Sequence, residues 1–204
     1  MLFDITRGEL AGIFGEDRIA TLPAGAFPSA AAGTEGARLL QTVGVPTGTL
    51  LLRRPDEDDG VLPLVQHVVH IEDFENAAEG AGAWPVFGWL LNATSLSIPY
   101  RAGCTPDPDE ETVQELHTDV SSLIHVTLRF QRLLEEIPFS GDEGDQEADF
   151  ERLDGEVDRI REETSSTDPV PFQDEETVWS VVGDEIAMGQ RFESSSTGAR
   201  ALYG

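Results

Sequence analysis

Lysine is absent from this chain of 204 residues, and all 13 of its basic side chains are arginine. A phosphate-binding loop ending in Gly-Lys-Ser/Thr is therefore impossible. Cysteine is almost absent as well. Cys104 stands alone, which excludes an internal disulfide and fits a reducing cytoplasm. No run of about 18 apolar residues occurs, so no transmembrane helix is expected. The first residues, MLFDITRGEL, carry an acid at position 4 and no apolar core of signal length, so they do not read as a signal peptide. A G-x-S-x-G nucleophile elbow is missing. The acidic stretch PDEDDGVLPLVQ lacks the glutamate at position twelve that a calcium loop needs. No internal repeat is visible.

What the chain has is negative charge. It holds 39 acids, for a formal net charge of −26. The charge is uneven: residues 1–50 carry −2, residues 51–104 carry −5 and residues 105–204 carry −19. A salt-adapted proteome or a GC-rich genome would also give this bias, although a uniform coat does not usually leave the first quarter nearly neutral. Such a field repels nucleic acid, whose phosphates need cationic partners, and attracts a basic protein.

The central element is Asp119–Ile137, DVSSLIHVTLRFQRLLEEI. Val120, Leu123, Ile124, Thr127, Gln131 and Leu134 follow helical spacing, and Leu128, Phe130, Leu133 and Ile137 widen the stripe. Asp119 caps its start, Pro138 stops it, and a sheet from the first half of the chain is expected beneath it. Before it, Thr6 and Glu9 have capping-box spacing for a helix over Arg7–Phe14. Arg18–Leu22 reads as a short strand, and residues 23–33 as a loop anchored by Phe27. Thr34–Val43 is a second helix, stopped by Gly44 and Pro46. Leu50–Arg53 and Leu64–Ile71 read as strands, the latter internal. Pro55–Gly60 is an acidic turn and Glu72–Gly82 a linker. Pro85–Asn92 and Ser95–Arg101 form a hairpin, Thr105–Glu111 an acidic loop, and Val113–Leu116 a last strand. After Pro138 comes a helix over Glu147–Thr164 with one narrow stripe, Phe150, Leu153, Val157 and Ile160. A final helix, Glu175–Met188, is capped by Asp174. This order is α+β: a mostly antiparallel sheet packed with helices, three of them in the C-terminal half. A single domain over 1–192 is expected, with a loose tail over 193–204.

The search for chemistry is short. On a strand, His67 and His70 point to opposite faces and cannot chelate one metal. His117 and His125 have no cysteine or third histidine spaced to complete a zinc site. Cys104 lies in GCTP, which matches no nucleophile motif, and the local negative charge would raise its pKa. Acid pairs such as Asp58/Asp59, Glu135/Glu136 and Glu175/Glu176 are so common here that each is uninformative. Catalytic residues, metal and cofactor are all expected to be absent.

Four passages resemble the fourth family of SUKH-type immunity proteins. They are T-R-x-x-L-x-x-x-F-G from Thr6 to Gly15, A-R-L-L-Q-T-V-G-V-P from Ala37 to Pro46, L-H-T-D-V-S-S-L from Leu116 to Leu123, and T-D-P-V-P-F…W-S-V-V from Thr167 to Val182. They follow the family's order over most of the chain. His117 stands where the family pattern has asparagine. The resemblance implies a bacterial, cytoplasmic, non-enzymatic protein that binds and occludes a cognate toxin. Complementary charge would speed that encounter with a basic toxin, such as one acting on nucleic acid. The acidic loops are the expected contacts: Asp56, Glu57, Asp58 and Asp59; Asp107, Asp109, Glu110 and Glu111; Asp142, Glu143, Asp145 and Glu147. A general protein- or peptide-binding scaffold of the same fold is the alternative. An enzyme would need a pocket that gathers His67, His70, His117 or Cys104. The oligomeric state is not encoded in any of these features.

Overall fold

The structure is a computed structural model, and it describes residues 1–46, 50–52, 61–67, 70–90, 94–97, 103–107, 112–137 and 146–189. The expected turn at 55–60 and the tail at 193–204 lie outside these residues.

Helix α1, Arg7–Phe14, begins as its sequence requires. The Glu9 N–H donates to the Thr6 hydroxyl at 3.2 Å, and the Thr6 N–H donates to the Glu9 carboxylate at 2.8 Å. The pair satisfies two orphan donors of the first turn. Leu10 and Phe14 face the core. Strand β1, Ile19–Ala20, pairs antiparallel with β2, Val45–Pro46. Between them runs α2, Glu35–Thr42, capped by Thr34. Arg7 ties α1 to the end of α2, donating to the Val43 carbonyl at 3.2 Å and pairing with Glu16 at 2.6 Å.

A second sheet is a five-stranded antiparallel meander in the order β3 (Leu50–Leu52), β4 (Val86–Leu90), β5 (Thr94–Ser97), β6 (Gly103–Asp107) and β7 (Thr112–His117). The hairpin read from the sequence is β4–β5, with Leu90 opposite Thr94. From β7 the chain passes directly into α3, Val120–Glu136, followed by α4, Gln146–Ser165, and α5, Val178–Ala187. The fold is α+β, with five α-helices and a small antiparallel sheet among the described residues, so the helices carry more of it than a mostly sheet description implies. Among the described residues no helix is long and apolar enough to cross a membrane.

Four expectations change. The described residues of Leu64–Ile71 do not form a strand. Leu64 makes one isolated bridge to Pro85, and the chain then turns through short 3-10 segments at Val65–His67 and Ile71–Asp73. Leu62, Val65 and Ile71 are buried there. With Ala81 and Val86, the latter two form a small satellite core packed by Phe74 and Trp84. The Glu72–Gly82 linker is thus folded into it. Second, Thr105–Asp107 belongs to β6 rather than to a loop. Pro106 is tolerated because, among the described residues, β5 and β6 pair at Ser97–Cys104 and not at Pro106. Third, α5 starts at Val178 with Thr177 as its cap. Asp174 instead accepts from the Glu176 N–H at 2.8 Å, a local turn that competes with helix initiation.

The fourth change concerns α3. It packs against α1, α2 and α4 and touches the sheet at β7, rather than lying across a sheet. Asp119 caps it, accepting from the Ser122 N–H at 2.9 Å. Pro138 forces the preceding residue out of the helical region, and Ile137 is accordingly extended, at φ −90° and ψ 115°. Phe130, Leu123, Ile124 and Leu134 of α3 are fully buried with Phe87 of β4 and Trp179 of α5. The stripe on α4 buries Leu153, Val157 and Ile160, against both α3 and α5.

Candidate functional site

The acidic loops come first, because they were the expected contact. Asp56, Glu57, Asp58, Asp59, Asp109, Glu110, Glu111, Asp142, Glu143 and Asp145 lie outside the described residues. Asp107 is the last residue of β6, and Glu147 is exposed in the first turn of α4. The histidines do not converge. His67 and His70 are exposed in the segment before β4, while His117 is buried at the end of β7. Among the described residues no three His, Cys, Asp or Glu side chains come together as metal ligands.

His117 has a different environment from the one its sequence suggests. The Trp179 indole N–H donates to its Nε2 at 2.6 Å. Tryptophan can only donate, so Nε2 is the acceptor and the ring proton sits on Nδ1. Nδ1 lies 3.0 Å from the Ser122 hydroxyl and therefore donates to it. The serine proton is then directed to Asp168. Asp168 also accepts from the Thr118 N–H at 3.0 Å, the Thr118 hydroxyl at 2.7 Å and the Val170 N–H at 3.2 Å. One continuous relay, Trp179 to His117 to Ser122 to Asp168, joins α5, β7, α3 and the turn before α5.

Serine, histidine and aspartate in one hydrogen-bonded chain invite comparison with a hydrolase triad. The order is wrong for that chemistry. A triad places histidine between the other two, with Nε2 free to take the serine proton. Here serine stands in the middle, and Nε2 is occupied by Trp179. All four side chains are also buried, so no substrate reaches the hydroxyl. The relay is a polar lock.

Burial dominates the electrostatics of the lock. It pushes the His117 imidazole down to about 3, against a smaller upward pull from Asp168. Burial also pushes the Asp168 carboxyl up, but the hydrogen bonds from Ser122, Thr118 and Val170 outweigh it and hold the group below its ordinary value. His125, half-buried on α3 and stacked on Phe3 with ring centres 4.0 Å apart, is lowered to about 4, mainly by burial and then by Arg129.

A pH dependence follows for His117. The unfolded imidazole takes up its proton near pH 6.5, whereas the folded one resists until about 3. Between these values the unfolded state binds more protons, so this contribution to stability is lost as pH falls. Carboxylate repulsion also changes in that window, so the informative quantity is a difference from a variant. Relative to His117→Asn, which does not titrate, the native chain is expected to lose about 1.5–2 kcal/mol of stability between pH 6.5 and pH 5. Urea denaturation at both pH values measures it. Parallel pH curves for the two proteins would mean that His117 is not held neutral.

The residues of the lock lie in the passages Leu116–Leu123 and Thr167–Val182, two of the four that carried the family resemblance. A family model for the SUKH-4 immunity protein matches residues 5–185. The chain belongs to the SUKH-4 immunity protein family. No curated protein and no solved structure matches it. In this SUKH-4 chain the third and fourth family-like passages are bonded to each other at the core. The second closes α2 at Gly44, and the first supplies the capped helix α1. These passages build the scaffold, and a binding surface has to be sought elsewhere.

Sequence reasoning missed one part of that surface. Helices α4 and α5 and the turn between them, residues 146–189, hold 14 acids against three arginines. Most of the acids on α4 are exposed, including Glu151, Asp154, Asp158 and Glu162. The narrow apolar stripe of α4 was the available signal. A helix that buries one stripe must present the rest of its circumference to solvent.

Proposed function

We propose that this SUKH-4 protein neutralises a cognate protein toxin by binding and occluding it, with no chemistry of its own. Membership of an immunity protein family over residues 5–185 carries the reading. The net charge of −26 gives it a mechanism: a basic toxin, such as one that acts on nucleic acid, is steered toward the acidic half and its active surface is covered. The loops with Asp56–Asp59, Asp107–Glu111 and Asp142–Glu147 are proposed contacts, and the cytoplasm is the proposed compartment. The buried Ser122–His117–Asp168 relay supports a non-catalytic role, because its serine has neither a free base nor access.

The test is binding to the toxin encoded beside this gene, measured calorimetrically at rising salt. Exposed charges are screened beyond about 8 Å at 0.15 M and beyond about 3 Å at 1 M. The complex is expected to weaken at least about tenfold between 0.1 M and 0.5 M salt. An affinity independent of salt would remove the electrostatic mechanism while leaving occlusion intact. No complex at any salt would remove the proposal.

A further inference from the structure

Helices α4 and α5 pack antiparallel. Arg161 of α4 donates to the Ser180 carbonyl at 3.0 Å and to Asp184 at 2.7 Å on α5. Their approach is close: a Cβ at Gly183 would lie 3.0 Å from the Arg161 guanidinium and 3.1 Å from Val157. On the outer side the seam opens into two hollows that meet at Asp184. One, of about 460 Å³, has Phe150, Ala187 and Met188 on its apolar side and Glu151 and Asp154 on its rim. The other, of about 520 Å³, is lined by Phe172 and by Glu162, Asp174 and Glu175. Among the described residues Arg161 is the one cation lining them, and it is paired with Asp184.

Apolar exposure points to the same face. Among the described residues four large apolar side chains are exposed: Met1, Leu2, Val181 and Met188. Val181 and Asp184 are three apart on α5, and Met188, the residue that caps its C-terminus, follows Asp184 by four. Met188 is 60% exposed. An apolar strip flanked by carboxylates is a poor surface for a second copy of so acidic a chain. It suits a partner with the opposite pattern.

We infer that the outer seam of α4 and α5 is a docking surface for a basic segment of the toxin, with an apolar anchor set between arginines or lysines. The inference rests on the toxin-binding reading. Asp154 and Glu162 are eight residues apart on α4, about 12 Å along its axis. The matching cations are therefore seven or eight residues apart on a helix, or three or four apart on an extended strand. The anchor, a Leu, Met or Phe side chain, lies over Met188 and Ala187. This surface adds to the acidic loops a place where charge and burial act together, which is where binding energy concentrates.

The experiment compares Asp154→Arg/Glu162→Arg with Glu75→Arg/Glu79→Arg. All four residues are exposed, so both variants keep the native melting temperature, and they carry the same net charge. The seam variant is expected to bind the neighbouring toxin about 30-fold or more weakly, and the control within about threefold of native. Equal loss in both, or in neither, overturns the surface while toxin binding stands. A second arm needs no toxin. A 16-residue synthetic peptide with two arginines eight apart and a leucine midway is titrated into the labelled protein. Amide shifts confined to residues around Asp154, Glu162 and Met188, and lost when the leucine is serine, support the surface even if the native chain binds no toxin. Shifts spread over every acidic region overturn it. So does tighter peptide binding on truncation after Gly189, or a dimer that the seam variant dissolves, since the occupant would then be residues 190–204 or a second copy.

Discussion

Trp179→Ala is expected to destabilise the fold by about 3–5 kcal/mol, the range for removing a large buried aromatic side chain. The indole is fully buried, stacked on Phe130 with centres 6.0 Å apart and edge-on to His117 at 5.7 Å. Its loss opens a cavity where α3, α5 and β7 meet. It also leaves His117 Nε2 without a donor in a site that excludes water. Trp179→Phe separates the two costs, because it retains most of the ring and removes only the N–H. That variant is expected to lose about 1–3 kcal/mol, the range for a buried polar atom left unpaired. Equilibrium denaturation in urea measures both. A loss under about 1 kcal/mol for Trp179→Ala would mean that the relay does not hold α5 to the core.

Gly44→Ala is expected to cost about 2–5 kcal/mol. Gly44 has φ +86°, where a side chain meets its own backbone at a cost of about 1–2 kcal/mol. The added methyl would also stand 2.5 Å from the Ala20 carbonyl oxygen and 3.0 Å from Ile19 Cγ2. The carbonyl cannot yield easily, since Ala20 is paired with Val45 across β1 and β2. Overpacking adds about 1–3 kcal/mol. Gly155→Ala on α4 is the internal control. Nothing lies within 4 Å of a Cβ there, so helix propensity alone acts and a gain of about 0.5–1 kcal/mol is expected. Equal effects at the two positions would refute the steric account of Gly44. Thermal melts of the three proteins decide it.

Much of this architecture is legible where local rules act alone. The Thr6–Glu9 box, the Asp119 cap, the Pro138 stop and the α4 stripe each depend on residues a few positions apart, and each element forms as read. Leu64–Ile71 was read as a strand because a short apolar run does not distinguish a strand from short 3-10 turns. Strand β6 was missed because Pro106 argues against a strand until its neighbour β5 is known to pair elsewhere. The cap of α5 moved from Asp174 to Thr177 because both residues can initiate a helix, and Asp174 closes a local turn on the Glu176 N–H while Thr177 accepts from the Ser180 N–H.

The site divides in the same way. His117 looked incidental because its three partners, Ser122, Asp168 and Trp179, lie five, 51 and 62 positions away along the chain, and only the fold brings them together. The passages that carry the family resemblance turned out to be the scaffold's own fastenings. The acidity was plain in the composition, but its meeting with exposed Val181 and Met188 needs the antiparallel pairing of α4 and α5. Charge alone pointed to loops, whereas charge beside exposed apolar surface points to the helical seam.

The central claim is that protection is stoichiometric binding without turnover. It is tested by titrating this protein into its neighbouring toxin and following the toxin's residual activity. The account predicts a linear fall to zero at one equivalent, with full activity recovered when the complex is separated. Complete inactivation by a small fraction of an equivalent, growing with time, would contradict it, because only a catalyst acts in that way.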